Sequence, residues 1–143
     1  MDGNAVSVHL FREEFPSTVE AMAEAIDRAT DALVEHGWDD IVGTRCFRLC
    51  LEEAMMNAIR HGNQCDATRQ VKLDVEAAGE ELRVLVYDEG RGFDPDKIVL
   101  PDCCTEGGRG ICLIKHYCDD MRYDTKRHCL EIAFRAKGEV TDG

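Results

Sequence analysis

The sequence predicts a two-layer α/β sandwich, a mixed or antiparallel sheet with helices on one face. Two observations carry this. Elements read in the order βααββαββ, and most of the strands are joined by short turns, not by the helical crossovers that parallel pairing needs. The strands also alternate apolar residues with Lys, Asp and Glu, which leaves the sheet face away from the helices open to water. With 143 residues, the chain is expected to be one domain, 1–143, with room for a real core and none for a second.

Val6-Ser7-Val8-His9-Leu10-Phe11 alternates at period two and reads as an edge strand. Ser17-Thr18-Val19-Glu20 has the spacing of a capping box, with Ser17 as the cap and Glu20 reaching back. The helix it opens carries Val19, Met22, Ala23, Ile26, Ala29 and Leu33 at helical spacing and stops at Gly37. A second helix is expected from about Ile41 to His61, closed by Gly62. It is apolar around most of its circumference, so its polar residues are informative. Val71–Glu76 and Leu82–Tyr87 then form a hairpin about Ala78-Gly79-Glu80. A helix fits about Gly110 to Cys118, and strands fit Met121–Asp124 and Cys129–Arg135. No internal repeat or low-complexity segment occurs.

Composition narrows the partners. Seventeen Lys and Arg against 29 Asp and Glu leave a formal charge of −12, which opposes direct binding to nucleic acid or an anionic membrane. No apolar run is long enough to span a bilayer, and Met1-Asp2-Gly3-Asn4 begins no signal peptide, so the expected address is cytoplasmic. Eight cysteines without a Cys-x-x-Cys pair read mainly as small buried apolar residues. Cys46 and Cys50 lie one helical turn apart but have no matched second pair to complete a zinc site, and Cys103-Cys104 reads as exposed and oxidisable.

Three short stretches carry the chemistry. Glu53 and Asn57, at i and i+4, project from one helix face. An uncharged amide oxygen suits Mg²⁺, and a carboxylate nearby can take a proton or orient a nucleophile. Read alone, the pair is better explained by a solvated Glu beside a capping Asn. Glu52 competes for the acidic role but lies about 100° around the helix. Asp88-Glu89-Gly90-Arg91-Gly92 leaves a strand end, where Asp88 can accept from an exocyclic amine and Gly90 and Gly92 let backbone pass beside a flat ligand; a plain Asp-capped turn is the competing reading. Gly107-Gly108-Arg109-Gly110 runs into an apolar helix, and free amides at a helix start suit phosphate. Arg109 either adds charge there or sits in solvent. A Walker-type loop is absent.

Taken together and in this order, the three stretches resemble the nucleotide-binding boxes of the GHKL ATPase/kinase superfamily: Glu53/Asn57, Asp88/Gly90/Gly92 and Gly108/Gly110. The wider runs Cys50–Gly62, Asp88–Pro95 and Gly108–Ile114, followed by Asp119-Asp120-Met121, are similar to the small stand-alone anti-sigma-factor serine/threonine kinases of bacteria. The resemblance extends from Phe15 to Phe134 and leaves no room for the dimerisation helices of a histidine kinase.

That resemblance implies a Bergerat ATP-binding fold. ATP and Mg²⁺ are then the cofactors: Asn57 holds the metal, Asp88 reads the adenine amine with Gly90 and Gly92 beside the base, and Gly108, Arg109 and Gly110 lie at the phosphates. Glu53 is the implied base. The implied substrate is a Ser or Thr of a STAS-domain antagonist, with a sigma factor as a further partner and a homodimer as the assembly. His61, at the end of the first-box helix, is expected to be structural or to touch a phosphate. Two other readings stand beside this one: a nucleotide-gated binding module without kinase activity, and the stand-alone catalytic domain of a histidine-kinase phosphorelay. The stretch from Asp94 to Glu106 departs from the family in carrying only Lys97 as a positive charge and in its Cys103-Cys104 pair.

Overall fold

A computed structural model describes residues 7–89 and 109–136 of the chain. Its elements are β1 (Ser7–Pro16), α1 (Val19–Glu35), α2 (Thr44–Asn57) continued by a π-helical turn (Ala58–Gly62), β2 (Gln70–Ala78), β3 (Glu81–Tyr87), α3 (Arg109–Tyr117), β4 (Asp120–Asp124) and β5 (Cys129–Arg135). The strands form one sheet in the order β1-β2-β3-β5-β4, with every adjacent pair antiparallel. The expected two-layer α/β architecture is the one observed, the sheet is antiparallel throughout, and β1 is an edge strand as its alternation suggested.

Register explains where the core sits. Leu73, Val86 and Leu130 lie side by side across β2, β3 and β5, as do Val75, Val84 and Ile132. All six are buried. They face Met22, Ile26 and Leu33 of α1, Phe47, Leu51 and Met55 of α2, and Ile111 and Ile114 of α3 in a single apolar cluster. At about 25 cal/mol per Å² of apolar surface removed from water, this cluster is the main force holding helices to sheet. A two-pronged pair from Arg28 of α1 to Glu13 of β1, at 2.7 and 3.0 Å, adds an exposed tie.

The alternate residues carry the charge. Lys72, Asp74 and Glu76 of β2 stand on the other face, in register with Arg12 on β1 and Arg83 on β3. Asp74 is nevertheless buried, because His9 at 2.8 Å and Arg12 at 3.3 Å close over it. A carboxylate out of water needs such partners. Leu85, Cys129 and Ala133 are buried on this face too, so it is less open to water than the alternation implies.

Several boundaries differ from the expectations. Ser17 is not the cap of α1. Thr18 is, its side chain accepting from the Ala21 amide at 3.2 Å, while Ser17 is buried and donates to the Arg69 carbonyl at 2.9 Å. A helix could begin on either hydroxyl, and tertiary partners claimed the first. α2 starts at Thr44, three residues after Ile41, because the Trp38 carbonyl accepts from the Ile41 and Val42 amides in a separate turn. Gly37 and Gly79 hold φ of +76° and +64°, the left-handed turn and helix-end conformations their positions require. Gly62 does not, and its role is different. Of the free cysteines, Cys50 and Cys129 are buried, Cys46 and Cys118 half-buried and Cys65 exposed, while Cys112 is disulfide-bonded. Among the described residues, no helix is long and apolar enough to cross a membrane.

Candidate functional site

The site grows from the last two turns of α2. Glu53 and Asn57 stand four residues apart on one face, and the Asn57 side-chain amide donates to the Glu53 carbonyl at 2.9 Å. That bond fixes the rotamer of a side chain that is 8% exposed and leaves its amide oxygen as the remaining polar atom. An uncharged, hard oxygen held this way fits the donor set of a magnesium ion, which binds through few protein oxygens and keeps water. Glu53 is half-buried. Burial pushes its carboxyl above the usual range, the charge of neighbouring Glu52 adds to the rise, and Arg60 opposes it. Glu52 itself is exposed.

Beyond Asn57 the helix widens. The Asn63 amide donates to the Ala58 carbonyl, five residues back, at 2.7 Å, which is the hydrogen bond of a π turn. This turn delivers Gly62 against the second stretch. Asp88 is buried just past the end of β3, and a Cβ placed on Gly62 would lie 2.8 Å from the Asp88 Cβ and collide with its carboxylate. The third stretch meets the same helix at its other end: a Cβ on Gly110, in the first turn of α3, would fall on a carboxylate oxygen of Glu53. Both glycines are therefore close-approach positions, where the missing side chain is what lets a carboxylate pass.

The three stretches are thus drawn to one helical segment. Gly110 lies at Glu53, Asp88 lies at Gly62, and Asn57 sits between. Nine residues of helix separate the two ends, about 13 Å at 1.5 Å per residue. Arg109 opens α3. Gly90, Gly92 and Gly108 lie outside the described residues. His61 is exposed near the end of the π turn.

Sequence reasoning missed two residues here. Gly62 was expected as a helix terminator, and its contact with Asp88 has no local signature. Asn63 was passed over entirely, yet it is fully buried and its carboxamide bonds three separate segments. A buried-side-chain signal was available only in its setting, directly after an apolar helix and a glycine.

Comparison with known proteins accords with this fold. A family model described as a histidine kinase-like ATPase domain matches residues 15–135. The chain is also similar to an anti-sigma F factor from Shouchella clausii (strain KSM-K16), at 26% identity over 111 residues that cover 73% of this chain and 68% of the relative.

Proposed function

Since the chain belongs to the histidine kinase-like ATPase domain family, we propose that it is a protein serine/threonine kinase of the anti-sigma, partner-switching type. Its phosphoryl donor is ATP and its acceptor a hydroxyl on a STAS-type antagonist, with a sigma factor as the regulated partner. The observation that carries this reading is the convergence just described: Glu53, Asn57, Asp88 and Gly110, from three distant stretches, are placed along one helical segment by two carboxylate–glycine contacts. That segment is long enough for an elongated ligand, with Asp88 at one end and the start of α3 at the other.

The roles follow from position. Asp88, buried and held at the end of β3, accepts from the exocyclic amine of adenine. Gly90 and Gly92 are proposed beside the base. Gly108, Arg109 and Gly110 are proposed at the phosphates, where the amides opening α3 present the positive end of the helix. Asn57 would hold Mg²⁺, which would supply neutralisation of phosphate charge. Glu53 orients the acceptor hydroxyl and takes its proton as the γ-phosphoryl group passes to oxygen and ADP leaves. A carboxyl raised by burial suits that task, since a stronger base accepts the proton more readily. The other polar side chains do no covalent work; catalysis rests on position and charge.

Similarity to an anti-sigma F factor supports the partner-switching part of the reading. The test is incubation of the chain with Mg²⁺, γ-labelled ATP and a candidate STAS protein, with Glu53→Gln as control. Label on a serine or threonine of the acceptor, absent with Glu53→Gln, is the expected result. ATP binding without any transfer favours a nucleotide-gated binding module instead.

A further inference from the structure

We infer that Asn63 is the positioning residue that sets the orientation of the Asp88 carboxylate, and so the selectivity of the site for an amine-bearing purine. The inference rests on the proposed role of Asp88.

Strand pairing does not hold Asp88. The β2–β3 ladder ends at Lys72 and Tyr87, and the β3–β5 ladder at Tyr87 and Cys129, each one residue short of it. What fixes its backbone is a pair of single hydrogen bonds. The Asp88 N–H donates to the His128 carbonyl at 3.0 Å, and the Glu89 N–H donates to Asn63 Oδ1 at 2.7 Å. These two amides belong to the peptide planes on either side of the Asp88 Cα, so together they pin both of its backbone dihedrals. One of the two pins is a side chain.

Asn63 is itself immobilised. It is 0% exposed, and its amide nitrogen donates to Ser17 Oγ at 2.7 Å and to the Gln70 carbonyl at 3.0 Å. Both side-chain donors and the acceptor are therefore used, which is the condition for burying a carboxamide without penalty. Ser17 is tied in turn to the Arg69 carbonyl, and the Gln70 N–H donates to Glu89 Oε1 at 3.2 Å. The bonds close a ring through the β1–α1 junction, the start of β2 and the exit of β3. Adjacent Gly62 supplies the hollow in which the Asp88 side chain lies. One dipeptide thus makes the space for the carboxylate and holds one side of the backbone from which it projects.

The test compares ATP with purine riboside triphosphate, which lacks only the exocyclic amine, by calorimetry in the presence of Mg²⁺. The wild-type chain, Asn63→Ser and Ser17→Ala are titrated, with melting temperatures measured in parallel. Wild type is expected to prefer ATP. Asn63→Ser is expected to lose about tenfold of that preference while its affinity for the amine-free nucleotide stays within about twofold, since only the aimed contact is lost. Ser17→Ala, which leaves Asn63 its Gln70 bond, is expected to lose about threefold and decides the matter if Asn63→Ser does not fold. Equal weakening of both nucleotides, or an unchanged preference, overturns the inference and leaves Asp88 standing. A wild type with no preference overturns the role of Asp88 and the inference with it.

Discussion

Replacing Gly62 with alanine adds one methyl group where the structure has no room for it. The new Cβ would lie 2.8 Å from the Asp88 Cβ and closer still to the carboxylate carbon, against about 3.5–4.0 Å for a comfortable carbon contact. The backbone there is not left-handed, so alanine is conformationally acceptable and gains about 0.5–1 kcal/mol over glycine in a helical setting. Overpacking of this kind costs about 1–3 kcal/mol. Net destabilisation should therefore stay near 0–2.5 kcal/mol by difference, small enough for the chain to remain folded. Rotating the Asp88 side chain away relieves only its carboxylate, because its Cβ stays in place; the backbone of the π turn must also shift to open the Cβ–Cβ contact, and either movement turns the carboxylate off its aim. That removes a charge-assisted hydrogen bond to adenine, about 1.5–3 kcal/mol, or about 10- to 150-fold in affinity. Calorimetric titration with ATP, beside a urea melt, separates the two effects. A Gly62→Ala protein that binds ATP within about twofold of wild type would refute the claim that this contact aims the carboxylate.

Asp88→Asn should weaken adenine nucleotides and reduce discrimination against GTP, because the amide presents a donor where an acceptor is needed; competition binding with both nucleotides checks it. Gly110→Ala should disturb Glu53 and lower the transfer rate with little change in ATP affinity, read from single-turnover kinetics beside binding. Glu53→Gln should abolish transfer while retaining nucleotide, and it should also change the pH dependence of stability. A carboxyl whose folded pKa is raised costs stability as pH climbs through the ordinary carboxylate range, because the unfolded chain ionises first. The variant's melting temperature should accordingly gain on wild type across that range and hold its lead at neutral pH; a constant difference from acid to neutral pH would contradict the burial of Glu53. Phe47→Ala, at a fully buried core position, should cost about 3–5 kcal/mol in a denaturant melt.

The layers of the fold were legible because they rest on periodicity. β5 was expected at Cys129–Arg135 and stands there, and the alternating apolar positions Val71, Leu73 and Val75 of β2 and Leu82, Val84 and Val86 of β3 line the core. What periodicity reports is which side of an element is dry, and that signal repeats several times per element, so one ambiguous residue does little harm. End positions lack such redundancy. Ser17 and Thr18 are equally good caps by local chemistry, and the choice was settled by Asn63 and Arg69, residues 46 and 52 positions away along the chain. The start of α2 moved for a similar reason, the Trp38 carbonyl having captured the Ile41 and Val42 amides first.

At the site, the residues proposed to meet the ligand could be named from sequence only by taking three stretches together, each of them ambiguous alone, through their resemblance to a known set of nucleotide-binding boxes. The residues that hold those side chains in place could not. Nothing local distinguishes Gly62 as a close-approach glycine from the helix terminator it resembles, because the reason for its missing side chain is Asp88, 26 residues later. The π turn compounds this. An α-helix continued from Asn57 would place residues 62 and 63 about 100° per residue onward from the α2 face, whereas the wider turn changes that phase and lets glycine meet the carboxylate while asparagine points inward to its three partners. A helix that loses regularity immediately after its chemically committed residues forgoes good α-helical hydrogen bonding, and such turns are common where function requires it. Here the loss is offset by the buried Asn63 network, so the irregular turn and the aim of the Asp88 carboxylate are one structural feature.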